Sequence, residues 1–145
     1  MVVKCVVTTS NEKPLVIPKD PTKPLDENNY VSSGEYYTID SLWSGYPIKT
    51  GNEYTVYGIL IIKNQIRYLI FNDHGIPGFY PSCLFNVVEN YLYYDWGINI
   101  YQVNTEQYLL ITSENIVNCY EHFCDLVDCQ NDAIKRLLEY KNSLI

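Results

Sequence analysis

The sequence predicts a single α+β domain over residues 1–145, with a β-rich part over residues 1–111 and two helices over residues 112–145. Short runs of β-branched and aromatic residues, separated by Gly, Pro and Asn turns, fill the chain up to residue 111. The apolar spacing then changes to a helical period. A length of 145 residues suits one hydrophobic core.

The strands are predicted from apolar runs of strand length that end at turn residues. Two of the gaps between runs are short and polar, so residues 53–63 with 66–71, and residues 98–103 with 108–111, form predicted hairpins. Pro81 ends a strand because proline cannot donate to a ladder. The predicted strands are residues 2–8, 30–40, 53–63, 66–71, 78–80, 84–88, 98–103 and 108–111.

Residues 10–29 interrupt the strand pattern, because Pro14, Pro18, Pro21 and Pro24 leave no room for a regular element. We expect a proline-rich surface arm over these residues. A loop of this length is unusual in a compact domain and often takes part in binding, although surface padding is the commoner explanation.

The helical part begins after Thr112 or Ser113, either of which suits a helix N-cap. One apolar stripe predicts a continuous amphipathic helix. Its members are Ile116, Val117, Tyr120, Phe123, Cys124 and Val127. A second helix is predicted to begin between residues 128 and 131, and its basic residues lie toward the C-terminal end, where cations are favourable.

The charge distribution says more about partners than about the fold. Residues 68–134 contain no Lys or Arg but nine carboxylates, in a chain of net charge -7. Such a field attracts basic surfaces and repels phosphate backbones. We therefore expect a basic protein partner and no direct binding of nucleic acid.

Two groups of residues are predicted to bind this partner. The first is the densest aromatic cluster of the chain, because aromatic anchors among carboxylates suit a surface rich in Arg and Lys. Alternating Tyr91, Tyr93 and Asp95 would equally fit one side of a strand. The second group consists of helical carboxylates, which either face solvent or form a site for a basic partner. The predicted partner-binding residues are Tyr91, Tyr93, Tyr94, Asp95, Trp96, Glu121, Asp125, Asp128 and Asp132.

No catalytic signature is present, so we expect no enzyme activity. The glycine-rich phosphate loops and the nucleophile elbow are missing from the sequence. Cys83 with His74 is a remote candidate for a hydrolase, without a recognisable local motif. Cys119, His122 and Cys129 suggest zinc, but no C-x-x-C pair accompanies them. We expect no metal and no cofactor.

The five cysteines and the N-terminus indicate a reducing compartment. An odd number of cysteines without framework spacing favours free thiols in a cytoplasm. The first residues lack the pattern of a secretory signal, and no apolar run approaches the roughly 18 residues of a membrane span. We expect a cytoplasmic protein without a membrane partner. The sequence leaves its oligomeric state open.

Four short motifs carry a family resemblance. They are Met1-Val2-Val3-Lys4-Cys5-Val6, Gly51-x-x-Tyr54-x-Val56, Tyr68-Leu69-Ile70-x-Asn72-Asp73-x-Gly75 and Tyr80-Pro81-x-x-Leu84-Phe85-x-Val87-Val88. Together they resemble small bacterial and phage proteins with an SH3-like barrel, over residues 54–89 and, more weakly, the opening strand. The resemblance implies an SH3-like small β-barrel or curved antiparallel sheet, followed here by the helical extension. Some longer proteins of this kind are similar to immunity proteins encoded beside polymorphic toxins.

The leading interpretation is therefore an immunity protein that binds and neutralises a basic toxin, a nuclease above all, through an acidic, tyrosine-rich face. The resemblance implies no catalytic residues. The alternative is a phage or mobile-element accessory protein whose barrel sequesters a small ligand or a host protein. A deep apolar pocket beneath Trp43, Tyr57 and Trp96 would favour this alternative.

Overall fold

The computed structural model describes residues 1–10, 12–32 and 46–144. The fold is α+β, as predicted, with antiparallel strands followed by helices. The strands are β1 (Val2–Cys5), β2 (Val16–Ile17), β3 (Val31–Ser32), β4 (Glu53–Thr55), β5 (Gly58–Ile62), β6 (Gln65–Phe71), β7 (Pro77–Pro81), β8 (Phe85–Glu89), β9 (Trp96–Val103) and β10 (Glu106–Ser113). The helices are α1 (Glu114–Val117), α2 (Tyr120–Val127) and α3 (Asn131–Ser143), with a 3-10 turn at Ser82–Leu84. Within this part of the chain, no helix is long and apolar enough to cross a membrane.

The described strands form three antiparallel sheets and do not close into a barrel. The large sheet has the order β7-β6-β5-β10-β9, the small sheet the order β4-β1-β8, and β2 pairs with β3. Both predicted hairpins are confirmed. The predicted strand over residues 53–63 is divided, because β4 belongs to the small sheet and β5 to the large one. Of the predicted strand over residues 30–40, residues 33–40 lie outside the described residues.

Side chains alternate across the large sheet and give it two different faces. One face, which we call the helix face, carries Leu60, Phe79 and Leu110 against the helices in a first core. The opposite face, which we call the outer face, carries Ile70 and Tyr80 against the small sheet in a second core. The molecule therefore has three layers: helices, large sheet and small sheet.

The prediction of one continuous helix from Ile116 to Val127 is wrong, because the helix is interrupted at Asn118 and Cys119. The carbonyl of Val117 accepts hydrogen bonds from Asn99 Nδ2, at 3.0 Å, and from the Tyr101 hydroxyl. Side chains of β9 thus satisfy a carbonyl that the next helical turn would otherwise use. Cys119 then adopts an extended conformation and begins α2 as its N-cap. The helical part consequently holds three helices where two were predicted.

The proline-rich arm is attached to the first core. Leu15 and Ile17 are buried in it, and the Tyr120 hydroxyl donates to the carbonyl of Pro18. The guanidinium of Arg67 is buried beneath the arm, where it donates to the carbonyls of Lys13 at 2.6 Å and Phe79 at 2.9 Å. Buried charge needs such partners, so the arm is a structural element rather than padding.

Candidate functional site

Residues 91–96, which we call the tyrosine turn, include most of the connection between β8 and β9 and the first residue of β9. Residues 91–95 are not a strand, so Tyr91, Tyr93 and Asp95 do not line one side of one. Tyr91 is 79% exposed, and Tyr94 is as exposed as in an extended peptide, at 101%. Two large aromatic side chains, three residues apart in one connection, therefore project into solvent. Their exposure does not stabilise the folded chain.

The base of the tyrosine turn is fixed by hydrogen bonds to α3. The Trp96 indole Nε1–H donates to the Tyr140 hydroxyl at 2.9 Å, and that hydroxyl donates to Asp95 Oδ1 at 3.1 Å. The backbone N–H of Trp96 donates to the carbonyl of Tyr93 at 3.2 Å. The rings of Tyr93 and Trp96 lie 5.7 Å apart between centroids. The exposed tyrosines thus stand on an ordered base.

The tyrosine turn is also an electronegative site. Burial is the main cause that raises the pKa of Tyr93, and the charges of Glu89 and Asp95 raise it further. Burial likewise raises the pKa of Tyr140, and its hydrogen bond to Asp95 adds to the effect. Two carboxylates therefore act on the half-buried ring beneath the exposed tyrosines, where a cationic partner side chain would be favourable.

Four carboxylates lie along α2, at its C-terminal end and at the start of α3. We call them the carboxylate set: Glu121, Asp125, Asp128 and Asp132. Glu121 and Asp132 lie in the first turns of α2 and α3, where negative charge is favourable to a helix. Asp128 accepts a hydrogen bond from Gln130 Nε2 at 2.7 Å. Glu121, Asp128 and Asp132 are exposed, while Asp125 is half-buried. Three of the four carboxylates therefore have a local structural role.

A cation lies close to the carboxylate set. His122 is buried on α2, and among the described residues its Nε2 has no hydrogen-bond partner. Burial lowers the pKa of His122, the charge of Arg136 lowers it further, and the charge of Asp125 opposes both. Arg136 and Asp125 thus both act on one imidazole, so the field here has both signs.

The structure groups the residues of the tyrosine turn but does not join them to the carboxylate set. Tyr93, Asp95 and Trp96 contact one another or share Tyr140. In the described part of the chain, no hydrogen bond or ring contact links the turn to Glu121, Asp125 or Asp128. The connection runs through α3, on which Asp132 and Tyr140 are separated by about 12 Å at a rise of about 1.5 Å per residue.

The remaining polar candidates have structural partners. Cys83 Sγ donates to Ser10 Oγ at 3.4 Å, and the backbone N–H of His74 donates to Asn72 Oδ1 at 2.8 Å. Within residues 1–10, 12–32 and 46–144, no hydrogen bond joins Cys83 to His74. Cys119 Sγ accepts the backbone N–H of His122 at 3.4 Å, as an N-cap of α2. No group of three or more His, Cys, Asp or Glu in that part could hold a metal ion.

The pocket that would favour the accessory-protein alternative stays a prediction, because one of its expected lining residues is not described. Trp43 lies outside the described residues, while Tyr57 belongs to the first core and Trp96 packs against the second. An open cleft of about 1540 Å³ lies elsewhere, between the proline-rich arm and the tips of the two hairpins. Lys13, Leu25, Lys63 and Glu106 are among its lining residues.

Sequence reasoning missed a second exposed apolar surface, on the outer face at β9. Ile98 is 66% exposed and Ile100 is 54% exposed. They lie opposite Ile111 and Leu109 of β10, which in turn lie opposite Ile59 and Ile61 of β5. The alternation of apolar residues at 98, 100, 109 and 111 carries the signal. Only their exposure in the folded chain shows that no described element covers Ile98 and Ile100.

Comparisons with known proteins do not assign the chain to a group. No protein-family model matches the sequence, and neither a curated protein nor a solved structure matches it.

Proposed function

We propose that this chain is an inhibitory binding protein of the immunity type, which neutralises a basic protein toxin by docking through the tyrosine turn. One observation carries the proposal: Tyr91 and Tyr94 project into solvent from a connection whose base is fixed by Trp96, Asp95 and Tyr140. A fold that needed these rings for its own stability would bury them.

Exposed tyrosines on an ordered base suit a protein interface. Tyrosine supplies a large contact area with few rotatable bonds, and aromatic residues are enriched at interfaces and their hot spots. The hydrogen bonds of Tyr140 hold the turn in one conformation before binding. Pre-organisation lowers the entropy lost on association, so a small segment can anchor a tight complex.

The charges around the turn favour a basic partner. Glu89 and Asp95 act on Tyr93, and residues 68–134 contain no Lys or Arg. An exposed aromatic ring next to carboxylates suits an Arg side chain, which can stack on the ring and pair with the acid. Toxins that cleave nucleic acids need cationic clefts, and a phosphate backbone would itself be repelled by this field.

The carboxylate set contributes to the speed of association in this proposal. Three of its four members have local structural roles, and Arg136 and Asp125 both act on His122, so the set is not reserved for a partner. Exposed charges still steer a basic partner toward the protein, an effect that appears mainly in the association rate.

We place the protein in the cytoplasm, in agreement with its five free thiols.

The proposal includes the likeness to SH3-like immunity proteins. The pairing of β1 supports it, because β1 pairs with β4 on one side and with β8 on the other. The small sheet thus brings together the opening strand and both ends of the segment that carries the resemblance. The β9–β10 hairpin and the helices are additions to that unit.

A second candidate is the accessory protein that sequesters a small ligand or host protein. The cleft of about 1540 Å³ beside the arm is the observation that favours it. Both basic and acidic side chains line this cleft, so its charge does not select a partner as the tyrosine turn does.

The experiment that tests the proposal is co-expression of the chain with the product of the adjacent gene in a host that this product kills. We expect growth to be restored by the wild type and by a Tyr30→Ala control, which alters an exposed tyrosine directly after the arm. The Tyr91→Ala, Tyr94→Ala double variant should fail to restore growth at equal expression. Equal protection by all three proteins would contradict the proposed site, and no binding to any basic partner would contradict the function.

A further inference from the structure

We propose that the chain forms a symmetric dimer in which β9 pairs antiparallel with β9 of a second copy. The proposal is independent of the proposed function and concerns a different surface. Among the strands of residues 1–10, 12–32 and 46–144, β9 is an edge strand of the large sheet. It pairs with β10 over eight consecutive residues without a bulge, so its outer edge is long and regular.

The two edge strands of the large sheet, β7 and β9, differ in how well they are protected from pairing with another chain. β7 begins and ends with Pro77 and Pro81, α2 packs against it, and Cys129 Sγ donates to the carbonyl of Pro77 at 3.8 Å. Proline and a covering element are common ways to protect an edge. β9 contains no proline and no charged residue. It therefore lacks the features that prevent one edge from pairing with another.

The open backbone groups of β9 can be assigned from its hairpin. Two residues separate Val103 from Glu106, so this closing pair exchanges both backbone hydrogen bonds. By alternation, Ile98, Ile100 and Gln102 direct their N–H and C=O groups away from β10. Within the described residues, no backbone hydrogen bond outside the β10 pairing satisfies these groups. The N–H groups of Trp96 and Asn104, beyond them, donate to the carbonyls of Tyr93 and Pro21.

These three residues define a register with a second copy. If Ile100 lies opposite Ile100 on the two-fold axis, then Ile98 lies opposite Gln102 on both sides, and every open N–H and C=O of the three residues is paired. The Cα atoms of the central pair are then about 5.5 Å apart. The exposed side chains of Ile98 and Ile100 form one continuous apolar row across the joined sheets.

The second copy is favoured over a basic partner by the charge of this surface. β9 carries no carboxylate for a basic partner to pair with. Glu106, beside its turn, is already paired with Lys63 at 3.5 Å. An uncharged edge is complementary to another uncharged edge, and this chain supplies one that is self-complementary in the antiparallel sense.

The test is sedimentation velocity of the full chain over a wide concentration range. We expect a species of twice the 16.9 kDa chain mass that dissociates on dilution. Ile100→Glu should give monomer throughout, because two like charges would meet on the axis. Ile66→Glu is the matched control: Ile66 is 40% exposed on the same face of β6, about 14 Å from β9 at the usual strand spacing. It should leave the dimer intact.

Several outcomes would overturn the proposal. A wild-type chain that is monomeric at every concentration would do so. Loss of the dimer in both Ile100→Glu and Ile66→Glu would also overturn it, because this result would indicate face-to-face stacking of the sheets. Survival of the dimer in both variants would overturn it as well. Salt distinguishes this dimer from a toxin complex, because two copies of net charge -7 repel one another and screening should strengthen the dimer.

Hydrogen exchange keeps the test decisive if Ile100→Glu fails to fold. The amides of Ile98, Ile100 and Gln102 in the wild type should exchange more slowly as concentration rises, while the amide of Ile66 should not change. Exchange that is independent of concentration would contradict the dimer. Protection that requires the adjacent gene product would assign the edge to that partner and contradict it equally.

Discussion

The tyrosine turn and the carboxylate set are both predicted partner-binding groups, yet the structure surrounds them differently. Tyr91 and Tyr94 are exposed and do nothing visible for the fold. Glu121 and Asp132 lie in the first turns of helices, and Asp125 and Arg136 both act on His122. A count of charges treats all carboxylates alike, whereas their positions show which ones the fold itself uses.

An exposed aromatic residue is a stronger sign of a partner than an exposed carboxylate. A carboxylate in water costs a folded protein little, and a helix start gains from it. A fully exposed tyrosine keeps its large apolar ring in water and gains nothing in return. The structure therefore shifts the predicted site toward the tyrosine turn.

The largest expected effect is on the free energy of unfolding, and it should differ between a core residue of α2 and an exposed residue of the tyrosine turn. Phe123 is fully buried and its ring contacts those of Phe79, Tyr101 and Tyr120. Phe123→Ala should lower the free energy of unfolding by about 3–5 kcal/mol. Tyr94→Ala should change it by less than about 0.5 kcal/mol. Urea denaturation measures both, and a Tyr94→Ala loss above about 1 kcal/mol would show that the turn stabilises the fold after all.

The next effect tests whether α3 holds the turn. Tyr140→Phe removes the hydroxyl that accepts the Trp96 indole N–H and donates to Asp95. We expect a loss of about 1–3 kcal/mol, because a half-buried donor loses its partner. Tyr91→Phe, which removes an exposed hydroxyl, is the control and should be neutral. Equal stability of the two variants by thermal unfolding would contradict an ordered base.

Folding stability measured against pH tests how Arg136 and Asp125 act on His122, next to the carboxylate set. Burial and Arg136 lower the pKa of His122 below its usual 6.5, so the unfolded chain binds this proton more tightly than the folded protein. Stability should be complete above about pH 6.5 and should fall as the pH decreases toward the folded-state pKa.

His122→Leu should flatten this dependence between about pH 5 and pH 6.5, because it removes the imidazole. His74→Gln, at an exposed position, should leave it unchanged. Parallel pH curves for the wild type and His122→Leu would show that His122 is not the titrating group.

The smallest effect concerns the helix-end role of the carboxylates. Glu121→Gln removes a charge from the first turn of α2 and should destabilise the protein by about 0.3–1 kcal/mol, although the chain is strongly acidic. Glu139→Gln, near the C-terminal end of α3, is the matched control and should be neutral or slightly stabilising. The same sign of effect for both in urea denaturation would argue against the helix-end role.

Local features of the fold were predictable from the sequence. The hairpins β5–β6 and β9–β10 follow from apolar runs joined by short polar turns, which depend on neighbouring residues alone. The interruption between α1 and α2 was not predictable, because Asn99 and Tyr101 bind the Val117 carbonyl from another element. The apolar stripe of Ile116 to Val127 survives the interruption, so periodicity alone predicts one helix.

The candidate site was predictable in composition but not in geometry. The density of aromatic residues at 91–96 marks the turn, but their exposure depends on where β8 ends and where α3 places Tyr140. Strand order is equally non-local: the sequence gives no sign that β9 is an edge while β10 is not. The open apolar surface at Ile98 and Ile100 was missed for this reason.

The most direct test of the proposed function compares the two groups in one binding experiment. Isothermal titration calorimetry with the purified product of the adjacent gene gives the affinity of the wild type, of Tyr91→Ala with Tyr94→Ala, and of Glu121→Gln with Asp125→Asn. We predict that the tyrosine pair weakens binding at least about 30-fold, as expected for interface anchors, and that the carboxylate pair weakens it less than about threefold. A larger loss for the carboxylate pair would contradict the tyrosine turn as the anchor.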